Sequence, residues 1–117
     1  MNQINPRNIT PQDLNDWLLK ESIRPILIDV REKDEVEIAS FPFSFIHLPL
    51  SEFSNWCESY SEKLPLDKPV VVICHSGVRS FNFCTWLLDQ NSRYEVLNLE
   101  GGIDAWSLLV DPSVPRY

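Results

Sequence analysis

Several features that would assign a chain of this size quickly are missing from the sequence. There is no excess of basic charge: 17 acidic against 10 basic residues give a net charge of -7. Binding to a phosphate backbone needs clustered Lys and Arg, so nucleic acid is not an expected ligand. There is no long apolar run either. The longest clean aliphatic stretch is Val70 to Ile73, far short of the ~20 residues that cross a bilayer, so no membrane partner is expected. The opening "MNQINPRNIT" lacks the basic start and apolar segment of a secretory leader. Cysteine is scarce, with three residues at positions 57, 74 and 84. An odd, scattered set does not make a disulfide framework. No two of them have CxxC spacing, so no zinc knuckle or resident metal is expected. A reducing cytoplasm is the expected compartment.

What is present fits one domain spanning residues 1–117, a usual domain size. In "ITPQDLNDWLLKE" Thr10 suits an N-cap, Pro11 the first helical position, and Leu14, Trp17 and Leu18 a buried stripe. "PILIDV" (25–30) has the near-continuous apolar character of a strand covered on both faces. Residues 32–38 are acidic and predict a loop or one helical turn. "FPFSFIHLPL" is extended, because Pro42 and Pro49 disfavour helix around them. A second helix is expected over "SEFSNWCESYSEKL", capped by Ser51. "DKPVVVIC" is a strand, followed by a helix from about Val78 to Gln90 that Asn91 would end in a left-handed conformation. "YEVLNL" is a further strand, "GGIDAWSLLV" a closing helix, and "DPSVPRY" a proline-broken tail. Strands alternating with helices predict a three-layer α/β/α fold with a mainly parallel central sheet. Ligands in such sheets bind at the carboxyl ends of strands. Cys74, the Asp29/Arg31 pair, and Glu100 with Gly101 and Gly102 all fall at such ends.

Cys74 carries the chemistry. A thiol reacts as its thiolate, and an ordinary cysteine, with a pKa of ~8.5, is mostly protonated at neutral pH. In "ICHSGVRSF" (73–81) the cysteine stands at a strand-to-helix junction. The helix that follows directs unpaired N–H groups and a positive dipole end at the loop. Arg79 adds a permanent cation if it turns inward. Gly77 lets the backbone of His75, Ser76, Gly77 and Val78 curl into an anion-binding nest. Ser76 and Ser80 offer hydroxyl donors to the same point. A cysteine in this setting is expected to be a reactive thiol within reach of solvent, not a small core hydrophobe.

"PVVVICHSGVRSFNFCTWLL" with "YEVLNLEGGIDAWS" resembles the second half of a rhodanese domain, and "ILIDVREKDE" resembles a strand and turn of its first half. The resemblance implies a sulfurtransferase without metal or organic cofactor. Cys74 would take a sulfane sulfur from a small donor, either thiosulfate-like or a persulfide. It would then pass the sulfur to a thiophilic acceptor by two displacements. Arg79 would hold the anionic donor. Asp29 and Arg31 would orient loops through hydrogen bonds and a salt bridge, with Arg31 a weaker candidate for touching substrate. The loop is C-x4-R, whereas related phosphatases and arsenate reductases carry C-x5-R. The shorter ring suits one extra sulfur atom better than a tetrahedral oxyanion. A binding module that keeps the fold without turnover is the other alternative. The chain departs from the family where H-I-P-G-A is usual: it reads "SFPFSF", with Ser40 and Phe43 at the His and Gly positions. Its end, "AWSLLVDPSVPRY", is similar to rhodanese domains fused to adenylyltransferases, which implies a sulfur-carrier protein or other thiol as acceptor. His47, Cys57 and Cys84 are expected to be structural, and Phe41, Phe43 and Phe45 to form an apolar face.

Overall fold

The computed structural model describes residues 5–117. Five strands form one parallel sheet in the order β1-β5-β4-β2-β3: β1 is Arg7–Ile9, β2 Ile26–Asp29, β3 Ile46–His47, β4 Val70–Ile73 and β5 Val96–Leu99. The helices are α1 (Pro11–Lys20), α2 (Lys33–Ile38), α3 (Phe53–Trp56), α4 (Val78–Gln90) and α5 (Gly102–Leu109). The central strand explains the layering. Successive side chains of a strand point to opposite faces, and β4 is buried on both. Val70, Val72 and Cys74 join Trp56, Phe83, Cys84 and Leu87 on the α3/α4 side. Val71 and Ile73 join Leu14, Leu18, Ile103 and Trp106 on the α1/α5 side. The expected α/β/α architecture is therefore present. Among the described residues no helix is long and apolar enough to cross a membrane.

Thr10 caps α1 as expected: its Oγ1 accepts from the Asp13 amide at 3.1 Å. Three local expectations are corrected. The stretch 51–64 is not one helix but a 3-10 turn at Leu50–Glu52, the four-residue α3, and a second 3-10 turn at Tyr60–Glu62. Ser51 caps nothing; its amide donates instead to Glu32 Oε2 at 3.3 Å. Serine and asparagine compete with helical hydrogen bonding, and this stretch carries four of them between Ser54 and Ser61. Asn91 ends α4 in an extended conformation, φ -156°. Its N–H still bonds Leu87 O, and its Oδ1 accepts from the Arg93 amide at 3.0 Å. That local Asx turn replaces the left-handed exit. Strand β1 has no sequence signal, since only Ile9 is apolar and even it is half-buried.

The divergent 40–45 segment packs inward. Phe41 is buried against Trp106 with ring centroids 4.6 Å apart, and Phe43 meets the same indole edge-on at 6.2 Å. Cys84 is fully buried, which pushes its thiol up from its ordinary value, while Cys57 is half-buried at the rim of the α3/α4 core.

A buried ion pair fixes the end of β2. Asp29 and Arg31 are both fully inaccessible, with Arg31 Nη2 2.7 Å from Asp29 Oδ2. All five guanidinium donors of Arg31 are placed. Nε and one Nη2 hydrogen serve the Asp29 carboxylate, and the other Nη2 hydrogen serves Ala39 O at 2.7 Å. The two Nη1 hydrogens serve Glu35 O at 3.2 Å and Tyr117 Oη at 3.0 Å. Full satisfaction is what makes such a burial tolerable, and removing one partner of such a pair costs about 3–5 kcal/mol. Burial opposes the charge on Arg31, but the bonds it donates to Asp29 and Tyr117 outweigh it and hold the group above its ordinary value. Arg31 thus ties β2 to α2 and to the C-terminal tail. His47, partly buried, donates from Nε2 to Arg31 O at 2.6 Å and braces the same turn.

Candidate active site

The loop from Cys74 to Gly77 joins β4 to α4. Gly77 occupies the N-cap with φ 101°, a left-handed conformation that side-chain-bearing residues rarely adopt. This turn brings the Gly77 N–H back to within 3.1 Å of Cys74 Sγ. The orientation is enforced from outside the loop. The carbonyl oxygens of Cys74 and His75 accept from the amides of Ile103 and Asp104 at 2.8 and 3.1 Å. Those amides are in the first turn of α5, where donors have no partner within the helix. With the carbonyls drawn outward, the loop amides can face the sulfur. The approach needs Gly102 (φ 63°), since a Cβ there would collide with both carbonyl oxygens.

Of the two hydroxyls expected at the sulfur, Ser80 is there, buried, with Oγ 3.2 Å from Sγ. Ser76 is exposed and, with Gly77 and Val78, lines a cavity of about 320 Å³ behind the loop. Val78 is also exposed, as the first residue of α4. Arg79 is not turned onto the thiol. Its guanidinium makes a two-pronged pair with Glu35, Nη1–Oε1 2.6 Å and Nη2–Oε2 2.8 Å. That hydrogen-bonded pairing raises Arg79 above its ordinary value, with the nearby Cys74 adding a smaller contribution. Asp29 and Arg31 are paired at the turn that leads into α2, and Arg31 has no exposed surface.

Sequence reasoning missed three residues here. Glu35 sits on α2, and Tyr117 belongs to the tail. The Tyr117 hydroxyl donates to Glu35 Oε2 at 2.8 Å and accepts from Arg31, and its ring stacks on His75 at 4.2 Å. Asn98 on β5 contacts Ser80 and the Gly77 carbonyl. The one available signal was the position of Glu35, four residues beyond the strand-end arginine. Cys74 itself is only 1% exposed. This corrects the expectation of a solvent-reachable sulfur: the site is closed in this conformation. No metal-ligating cluster of three or more residues occurs among the described residues.

The sequence matches the family described as "Rhodanese-like domain" over residues 10–109. The chain belongs to the rhodanese family. It is 46% identical over 91 residues to the Rhodanese-like/PpiC domain-containing protein 12, chloroplastic, of Arabidopsis thaliana, which matches 78% of this chain and 30% of that protein. The chain therefore spans less than a third of that longer relative. It is 31% identical over 93 residues to the Thiosulfate sulfurtransferase GlpE of Coxiella burnetii, covering 80% of this chain and 81% of that one. The crystal structure of a rhodanese-like domain protein from Staphylococcus aureus superposes with TM-score 0.73 at 22% identity, covering 95% of this chain and 98% of that one. Rhodanese-like relatives thus include named sulfurtransferases, and the fold is the rhodanese fold.

The Glu35–Arg79 pair yields a pH prediction. The hydrogen bond from Arg79 pulls the Glu35 carboxyl from its ordinary 4.5 to about 2, against the opposing effect of burial. A depressed carboxylate stabilises the fold above its ordinary value and loses that contribution as pH falls through about 2. Arg79 is 37% exposed, so solvent screening keeps the pair modest. Urea unfolding at neutral pH should show Glu35→Gln less stable by about 1 kcal/mol. The difference from wild type should shrink on acidification between 4.5 and 2. A difference that stays constant through that range would contradict the assignment.

Proposed function

We propose that residues 1–117 act as one rhodanese-like unit whose chemistry is sulfur transfer through Cys74. The thiolate attacks the outer sulfur of a sulfane donor, either thiosulfate or a persulfide. The donor S–S bond breaks, and sulfite or a thiolate leaves with the electron pair. Cys74 then carries a persulfide. An acceptor thiolate attacks the outer sulfur, and Cys74 leaves as thiolate. The observation that carries this reading is the Gly77 N–H 3.1 Å from Sγ at the mouth of α4, in a loop whose carbonyls are bonded elsewhere. Donors pre-aimed at an anion stabilise it without reorganisation. His75, Ser76, Gly77, Val78 and Arg79 form the anion-binding ring. Because Glu35 already occupies Arg79, a donor anion must share that guanidinium or displace the carboxylate. A sulfur-carrier protein or other thiol is the acceptor class suggested by the tail.

The sealed sulfur favours one second reading, a module that binds partners without turnover. Mass spectrometry of the intact protein after incubation with thiosulfate separates the two. Sulfur transfer predicts gain of one sulfur atom by the wild type and none by Cys74→Ser. No gain by the wild type, even with persulfide donors, would leave the binding module. Turnover of an aryl phosphate dependent on Cys74 would instead overturn the loop-length reasoning.

Transfer requires the site to open. Tyr117, in the tail, stacks on His75 of the loop and bonds Glu35 and Arg31, and its release is the opening we propose. Tyr117→Ala, which removes two hydrogen bonds and a ring stack from the closed state, should raise the rate of Cys74 alkylation by at least about tenfold. An unchanged rate would mean that Tyr117 is not the cover.

A further inference from the structure

Asn98 stands in the middle of β5, opposite Val72 of β4, and is 4% exposed. Its amide has one permitted orientation. Nδ2 lies 3.0 Å from the Gly77 carbonyl and 3.3 Å from Asn8 Oδ1. A backbone carbonyl can only accept, so the nitrogen must face it; the flipped amide would bring two acceptor oxygens together. Oδ1 therefore faces Ser80, whose Oγ is 2.5 Å away. Ser80 has a single hydroxyl proton and two neighbours, Asn98 Oδ1 at 2.5 Å and Cys74 Sγ at 3.2 Å. Asn98 Oδ1 can only accept, and it is the closer of the two. The proton goes to Asn98, and Ser80 presents lone pairs to the sulfur.

We propose that Asn98 is a positioning residue that, through Ser80, favours the protonated form of Cys74 in the resting site. The directed chain is Cys74 S–H to Ser80 Oγ, then Ser80 O–H to Asn98 Oδ1. Ionisation of the thiol sends its proton to solvent. The Ser80 hydroxyl must then rotate to donate to sulfur, which breaks its bond to Asn98. The Gly77 amide favours the anion, and the Asn98–Ser80 pair opposes it. The two contacts thus act in opposite directions on the same sulfur. The role in turnover rests on the sulfur-transfer reading of Cys74; the chain of hydrogen bonds does not.

The test is the pH profile of Cys74 alkylation by iodoacetamide, followed by peptide mass spectrometry, in wild type, Asn98→Ala, Asn98→Asp, Ser80→Ala and the Ser80→Ala/Asn98→Ala double variant. It needs no sulfur donor, so its outcome is independent of whether the protein transfers sulfur. A wetter site would also lower the midpoint by relieving burial, so the double variant is what separates that effect from the hydrogen-bond chain. Asn98→Ala frees the Ser80 proton for sulfur and should lower the midpoint by about one unit, a tenfold gain in thiolate. Asn98→Asp keeps an acceptor facing Ser80 and should not lower it. Adding Asn98→Ala to Ser80→Ala should produce no further shift, which a general loosening of the loop would not reproduce. A midpoint that rises or stays fixed in Asn98→Ala, or falls equally in the Ser80→Ala background, would overturn the proposal.

Discussion

The site depends on two hydrogen bonds that do not touch the sulfur. The amides of Ile103 and Asp104, at the start of α5, take the carbonyl oxygens of Cys74 and His75. A peptide unit is planar, so fixing where a carbonyl points also fixes the N–H on its other side. The tether thereby fixes the strand-to-helix junction in the turn that holds the Gly77 N–H 3.1 Å from Cys74 Sγ. It explains why Gly102 lies beside Cys74 although 28 positions separate them in the sequence. It also uses donors that α5 cannot satisfy internally, so two needs meet in one contact.

A second layer of contacts holds the loop surroundings. Arg31 is buried with every donor engaged, and it links the end of β2 to Ala39, Glu35 and Tyr117. Glu35 in turn holds Arg79, and Tyr117 lies over His75. The acidic helix α2 thus partly neutralises the loop's cation, Arg79. In a chain of net charge -7, long-range steering of anions is weak as well. On the proposed function, local N–H groups would do most of the work of holding an anion.

Much of this was legible in the sequence. The alternation of strands and helices, a cysteine at a strand end and Gly77 in the loop follow from local pattern and spacing, whereas the Asp29–Arg31 pairing was implied by the rhodanese resemblance. Contacts between distant positions did not. Glu35 meets Arg79 across 44 positions, and Tyr117 meets Glu35 across 82. Nothing local marks either pairing, and an inward-turned Arg79 was expected at the sulfur instead. Asn98 reads as an ordinary strand residue until β5 is laid beside β4. The helix expected over 51–64 failed because apolar spacing alone does not offset the low helix propensity of Ser54, Asn55, Ser59 and Ser61. The buried state of Cys74 was also illegible, because it depends on neighbours that the topology brings in.

The central claim is that the tethered loop presents its amides to a sulfur anion attached at Cys74. An atomic-resolution crystal structure of the protein after persulfide loading tests it most directly. The account predicts the outer sulfur within hydrogen-bonding distance of at least two N–H groups of residues 75–79, with the Ile103 and Asp104 bonds intact. A persulfide turned away from those amides, or a loop released from α5, would contradict it.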